Sequence, residues 1–150
     1  MDLILWRHAE AEDTLPDHER ELTAHGRQQA RRVAEWLHHS LQGPCRIIVS
    51  PARRAQSTAL AYAPDFETVP LVGVGATPAQ ILQAAHWPEA EMPTIVVGHQ
   101  PSLGQTAALL LSGKEDEWSV RKGAVWWLSR RERRGLPQVV LRAVLNPDLV

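Results

Sequence analysis

Three places in this chain carry side chains suited to holding and attacking an anion. Arg7-His8 comes first, followed by Ala9 and Glu10. Ser50 comes next, with Arg53 and Arg54 close behind, and His99 is the third. Arginine offers a planar fork of donors that matches a phosphate or a carboxylate. Histidine near neutral pH can act as nucleophile, proton carrier or metal ligand. Gathered together, two or three arginines and two histidines would surround one anion-sized space.

The chain has the elements to gather them. Each place directly follows an apolar run: Leu3-Ile4-Leu5-Trp6 before Arg7, Arg46-Ile47-Ile48-Val49 before Ser50, and Thr94-Ile95-Val96-Val97-Gly98 before His99. Short continuous apolar runs read as strands buried on both faces of a mainly parallel sheet. Open α/β sheets place their ligands at the carboxyl edge of such strands. The expected fold is therefore α/β.

Helical patterns separate the runs. Thr23 caps a helix whose Ala30, Val33, Ala34, Leu37 and Leu41 fall on one face, and Gln42-Gly43-Pro44 stops it. His38 and His39 fall on its solvent side. Ser50-Pro51 reads as the start of a second helix, with a capping hydroxyl and then a proline. Its amide end would point at the same edge as His8. Adjacent helical residues diverge, so only one of Arg53 and Arg54 is expected in the pocket.

Residues 67–74 predict a short strand, interrupted by Pro70 and so near a sheet edge. Thr77-Pro78 opens a helix to about His86, and Gln100-Pro101 opens another through Leu111. Residues 123–128 and 138–145 predict a hairpin, with Arg130-Arg131-Glu132-Arg133-Arg134-Gly135 as its turn. Trp126 and Trp127 would face opposite sides of their strand, so at most one is core. Residues 12–21 form a charged loop over the sheet edge.

Composition sets outer bounds. The 150 residues, 44% hydrophobic, suffice for one domain with its own core. A net charge of -1 gives no reason to expect nucleic acid or an anionic membrane as partner. No apolar run approaches the roughly 20 residues that span a bilayer, and no secretory leader is recognisable. The single cysteine, Cys45, reads as a small buried residue suited to a reducing cytoplasm.

Four pieces, in order, resemble the histidine phosphatase superfamily (phosphoglycerate mutase-like), and most of all its short SixA-type phosphohistidine phosphatase branch. They are Arg7-His8-Ala9-Glu10-Ala11; Arg20 with Leu22-Thr23 and Gly26; Ser50-Pro51-x-x-Arg54-Ala55-x-x-Thr58; and Gly98-His99-x-Pro101. The resemblance implies a three-layer α/β/α sandwich, residues 1–150 forming a single histidine phosphatase domain with a C-terminal antiparallel hairpin. It implies a phosphohistidine formed on His8, with Arg7, Arg54 and His99 as catalytic and phosphate-binding groups. Of the two adjacent arginines it selects Arg54, and it adds Arg20 as a phosphate ligand. Two departures stand out. Ala9 replaces the usual glycine, and residues 73–78, where larger members supply a glutamate acid, contain no carboxylate. Glu10 is the candidate proton donor in its place.

The expected reaction is metal-independent transfer of a phosphoryl group to one ring nitrogen of His8, then hydrolysis. The other ring nitrogen should donate to a fixed acceptor, most simply a backbone carbonyl. His99, protonated, would donate to a phosphoryl oxygen. No cofactor is expected. The implied partners are a protein carrying phosphohistidine or a small phosphorylated metabolite. Three other readings compete. One is a broad phosphomonoesterase or mutase-like enzyme. Another is a catalytically weak module that binds phosphate or phosphoprotein because Ala9 crowds the nucleophile. The third is a zinc site of His8, His99 and Glu10, disfavoured by arginines aimed at the same space.

Overall fold

A computed structural model describes residues 1–150. Strand β1 (Asp2–Arg7) is followed by helix α1 (Ala24–Ser40), β2 (Arg46–Val49), α2 (Arg53–Leu60), β3 (Glu67–Thr68) and α3 (Pro78–Ala84). Then come β4 (Thr94–Gly98), α4 (Ser102–Ser112), β5 (Val125–Arg133) and β6 (Leu136–Leu145). One six-stranded sheet has the order β3-β2-β4-β1-β5-β6. Strands β3, β2, β4 and β1 run parallel, and β5 and β6 join antiparallel beyond β1.

Side-chain alternation along the central strands builds two separate cores. Leu3 and Leu5 of β1, Ile48 of β2 and Val96 of β4 face one side, where they pack with Ile81 of α3 and Leu103 and Ala107 of α4. Ile4 and Trp6, Val49, Ile95 and Val97 face the other, against Val33 and Leu37 of α1 and Ala55 and Ala59 of α2. The period of two thus sends successive residues into opposite layers. Each such fully buried aliphatic or aromatic side chain contributes about 1.5–3 kcal/mol. The result is the expected three-layer α/β/α sandwich.

The order of the strands creates the site. The chain runs outward from β1 past the later β4 position to β2 and β3, with α1 and α2 on one face. It then returns to the gap with β4, and α3 and α4 cover the other face. Such a reversal opens a crevice at the carboxyl ends of the strands. The register aligns Arg7 with Gly98 and Val49 with Val97, so His8, Ser50 and His99 leave the sheet side by side.

Several local expectations shift. Strand β3 is an edge strand as expected but spans only Glu67–Thr68, since Pro70 turns the chain into a 3-10 turn over Pro70–Val72. Helix α3 stops at Ala84, held at its start by a reciprocal cap between Thr77 and Gln80. The hairpin is longer than its hydrophobic pattern suggests. Arg130–Arg133 are strand rather than turn, and the turn is Arg134-Gly135, with φ of 54° and 75°. That left-handed pair suits the twist of a two-residue hairpin loop. Cys45 is only half-buried, with its sulfur 3.7 Å from the Tyr62 hydroxyl.

Candidate active site

His8 and His99 stand at the ends of adjacent parallel strands, their ring centroids 5.2 Å apart. Both are nearly buried, at 6% and 3% exposure. The backbone fixes them through ordinary sheet extension. His8 N–H donates to Gly98 O at 3.0 Å, and Ser50 N–H donates to Val97 O at 3.0 Å. Arg54, 4% exposed, enters from the first turn of α2, while Arg53 points outward and pairs with Glu21 at 2.8 Å. The divergence of adjacent helical residues has separated the two arginines as expected.

The tautomer of His8 follows from its neighbours. Its Nδ1 lies 2.8 Å from Ala9 O, an acceptor only, so Nδ1 carries the hydrogen. Arg54 Nε–H donates to His8 Nε2 at 3.3 Å, which requires a lone pair there. Nε2 is therefore the basic nitrogen and faces the arginine. Burial pushes the His8 ring down to about 3; the Ala9 carbonyl opposes this, while His99, Arg54 and Arg7 add to it. The ring is neutral at physiological pH, as a nucleophile must be.

His99 differs from expectation. Burial, and then the charge of Arg54, push it down to about 4 against the opposing Asp17 carboxylate, so in the free pocket it is neutral rather than protonated. Its Nε2 sits 2.7 Å from Ser50 Oγ. If the serine hydroxyl donates to Nε2, the hydrogen resides on Nδ1, so a neutral His99 still offers a donor. His99 Nδ1 and Arg7 Nε are both buried without a hydrogen-bond partner in the protein. Arg7 also uses one terminal nitrogen to donate to Val120 O at 2.9 Å, and burial lowers its guanidinium pKa from the usual value.

Ser50 serves the histidine more than the helix. Its hydroxyl accepts from Ala52 N–H at 3.1 Å, but α2 begins only at Arg53, with Ala52 in the capping position. Thr58, one turn further along α2, donates its hydroxyl to Arg54 O at 2.7 Å and accepts from Ala9 N–H at 3.0 Å. One side chain thus ties Arg54 to the backbone beside His8. The Ala9 methyl is fully buried in a small cluster with Leu22 and Ala30. It is packed and does not occupy the pocket.

The loop 12–21 supplies what sequence patterning missed. Asp17 lies on Arg54: its carbonyl accepts from one terminal nitrogen at 2.9 Å, and its carboxylate lies 3.3 Å from the other. Burial would raise Asp17, but Arg54 and then Arg20 outweigh it and hold the carboxyl below its usual value. No periodicity marks a loop aspartate; only its place after Pro16, where a 3-10 turn begins, hinted at fixed geometry.

Arg20 donates to Glu12 O at 2.7 Å and to Asp17 at 3.4 Å, so it braces this loop. Glu10 stands at the rim, its carboxylate 3.9 Å from His25 and 38% exposed. The Glu10 carbonyl lies so close to Gly26 of α1 that a Cβ there would collide with it. No cluster of three His, Cys, Asp or Glu side chains is positioned to hold a metal, so Glu10 does not join His8 and His99 as a third ligand.

Residues 3–73 match the model of the histidine phosphatase superfamily (branch 1). No curated protein matches the sequence. Among solved structures, the protein histidine phosphatase SixA complexed with tungstate is similar, with TM-score 0.84, 23% identity, and 99% of each chain covered. SixA from Nakamurella multipartitia is similar at TM-score 0.81 and 24% identity, over 97% of this chain and 95% of that one. A phosphoserine phosphatase from Entamoeba histolytica in complex with 3-phosphoglyceric acid follows the same fold at TM-score 0.64 and 22% identity, over 95% of each chain. Residues 3–73, which carry His8 and Arg54, thus match the histidine phosphatase model in sequence, and the whole chain shares its fold with the SixA structures.

Proposed function

We propose that this protein is a metal-independent phosphatase of the SixA kind, acting through a phosphohistidine on His8 and most suited to phosphohistidine in a partner protein. The 150 residues act as one catalytic domain, in the cytoplasm. The observation that carries the reading is the neutral, buried His8 with its Nε2 lone pair turned toward Arg54. Two further donors, Arg7 Nε and His99 Nδ1, are buried without protein partners. A buried unpaired donor costs about 1–3 kcal/mol. An anion accepting from both relieves that cost.

In the first step the Nε2 lone pair forms a bond to phosphorus as the bond to the leaving group breaks. The leaving group departs with that electron pair and takes up a proton. Arg7 and Arg54 neutralise the charge spread over the phosphoryl oxygens and His99 Nδ1–H donates to one of them, which is most of what this reaction needs. Throughout, Nδ1–H remains on Ala9 O and stabilises the ring as it gains positive character. Water then attacks phosphorus and loses a proton, the N–P bond breaks, and Nε2 recovers its pair. That proton passes to solvent, while Arg20 holds the loop that sets Asp17 against Arg54.

A phosphohistidine leaving group favours this pocket over an ester. Residues 73–78 carry no carboxylate, Glu10 sits at the rim, and Asp17 is held ionised. No acid is thus held ready to protonate an alkoxide. Packing of the Ala9 methyl with Leu22 and Ala30 supports turnover over mere binding.

The test is hydrolysis of a phosphohistidine peptide and of simple phosphate esters in the presence of a chelator. Turnover should persist, with a base-stable, acid-labile phosphoryl group trapped on His8. His8→Ala should lower kcat by about 10⁴-fold or more while phosphate still binds through the arginines. Full activity in that variant, or loss of wild-type activity in chelator, rules the mechanism out.

A further inference from the structure

A cavity of about 750 Å3 adjoins the phosphoryl pocket, with Arg7 in its wall, while His8, Arg54 and His99 are not. Only one of its 13 lining residues is hydrophobic. Arg32 of α1 and Arg121 and Lys122 of the α4–β5 loop all face it. None of these three cations takes part in any ion pair of the protein. Of the two acids present, Glu10 lies 3.9 Å from His25, and Asp148 stands alone. The cavity therefore carries an excess of uncompensated positive charge beside the catalytic arginine.

The loop holding Arg121 and Lys122 is fastened to the site at several points. Trp118 O accepts from Gln100 at 2.8 Å and lies so close to Gly104 of α4 that a Cβ there would collide. Val120 O accepts from Arg7 at 2.9 Å, and Gly123 N–H donates to His8 O at 3.0 Å. Gly123 O also accepts from the Trp6 indole at 3.1 Å. The two cations are thus displayed in fixed relation to the nucleophile. Exposed charges that remain free on an ordered loop have paid little desolvation and are available to a partner.

We propose that this cleft docks an acidic stretch of the phosphorylated protein, next to the histidine whose phosphoryl group enters the pocket. The inference rests on the phosphohistidine reading and adds the character of the substrate around it. A polypeptide fits better than a small metabolite. Small-ligand sites are mostly lined by apolar side chains, whereas this one is walled by polar side chains and exposed cations. It also extends along α1 from His25 to Arg32, a rise of about 10 Å for seven residues. That length matches two or three residues of extended chain bearing carboxylates.

Two phosphohistidine peptides of equal length, one flanked by Asp and Glu and one by Ser and Gln, test this. Their binding to His8→Ala protein is followed by fluorescence anisotropy, and their kcat/KM is measured with wild-type protein. The acidic peptide should bind about tenfold tighter at low salt, with the preference shrinking as salt rises. Combined Arg32→Gln, Arg121→Gln and Lys122→Gln substitutions should bring the acidic-to-neutral ratio close to one. Equal binding of the two peptides, no measurable binding of either, or a preference that survives the triple substitution overturns the proposal. So does a stronger preference for a small phosphate ester bearing carboxylates, such as phosphoserine, since the cleft then serves a metabolite. Binding that follows the acidic flank without hydrolysis of either peptide would instead fault the phosphohistidine reading and leave the docking surface standing.

Discussion

Arg54 Nε stands 3.3 Å from His8 Nε2, so in the proposed mechanism the arginine covers the very lone pair that is to attack phosphorus. The same guanidinium gives its two terminal nitrogens to Asp17. A phosphoryl group entering the pocket must take these donors over, and each displaced contact weighs against binding. The resting site is thus organised around a cation that changes partners.

Asp17 should therefore oppose anion binding. Its carboxylate is a like charge beside the incoming phosphate and competes for Arg54. Asp17→Asn is expected to tighten inhibition by inorganic phosphate about three- to tenfold, consistent with about 1 kcal/mol for one partly exposed charge contact. Competitive inhibition constants for phosphate measure this directly. Weaker inhibition in the variant would show that Asp17 orders Arg54 more than it competes with phosphate.

The histidines give stability a distinct pH dependence. His8 and His99 are held at about 3 and about 4, against about 6.5 in an unfolded chain. As pH falls below about 6.5 the unfolded chain takes up protons that the folded pocket refuses. Stability is therefore fullest above about 6.5 and declines as pH falls toward about 4. Asp17 and Glu67, whose pKa values are also lowered, add losses only below the ordinary carboxylate range. Urea midpoints should drop between pH 6.5 and 4.5 and drop less in His99→Gln. An unchanged midpoint over that interval would contradict the neutral, buried state of the pair.

Thr58 links the segment after His8 to the helix that carries Arg54. Thr58→Val keeps the shape but leaves Ala9 N–H buried without its acceptor, which costs about 1–3 kcal/mol. Thr58→Ser retains the hydroxyl and should recover most of both stability and kcat. Denaturation midpoints and kcat for the two variants, read together, separate the hydroxyl's role from the methyl's. Equal losses in both would assign Thr58 to packing.

What the sequence disclosed followed from regular elements. Apolar runs ending in Arg7-His8, Ser50 and His99 identified the strands and the edge at which they meet, because a buried parallel strand imposes a nearly continuous apolar pattern. Helical divergence separated Arg53 from Arg54, though resemblance was needed to say which turned inward. Asp17, by contrast, reaches Arg54 from an irregular loop whose path no period encodes. The neutrality of His99 depends on burial and on Arg54 together, and neither is visible until the chain is folded. The extension of β5 and β6 into the Arg-rich tip was hidden because exposed charged strand and exposed charged turn look alike in composition.

The leaving group should decide the order of substrates. A positioned general acid contributes about 10²–10⁴ in rate, roughly 3–5 kcal/mol of barrier. An alkyl phosphate needs that help because its alkoxide is strongly basic. A phosphohistidine needs less, since its imidazole has a conjugate acid near pKa ~6.5 and leaves neutral once the ring is protonated. Aryl phosphates fall between. The pocket holds Asp17 ionised and Glu10 at a half-exposed rim beside His25, so neither is set up as that acid. The expected order of kcat/KM is phosphohistidine, then aryl phosphate, then alkyl phosphate, and Glu10→Gln should leave it unchanged. A selective fall in alkyl activity in that variant would make Glu10 the acid after all. Alkyl phosphates outrunning phosphohistidine in the wild-type protein would move the activity to general phosphomonoester hydrolysis.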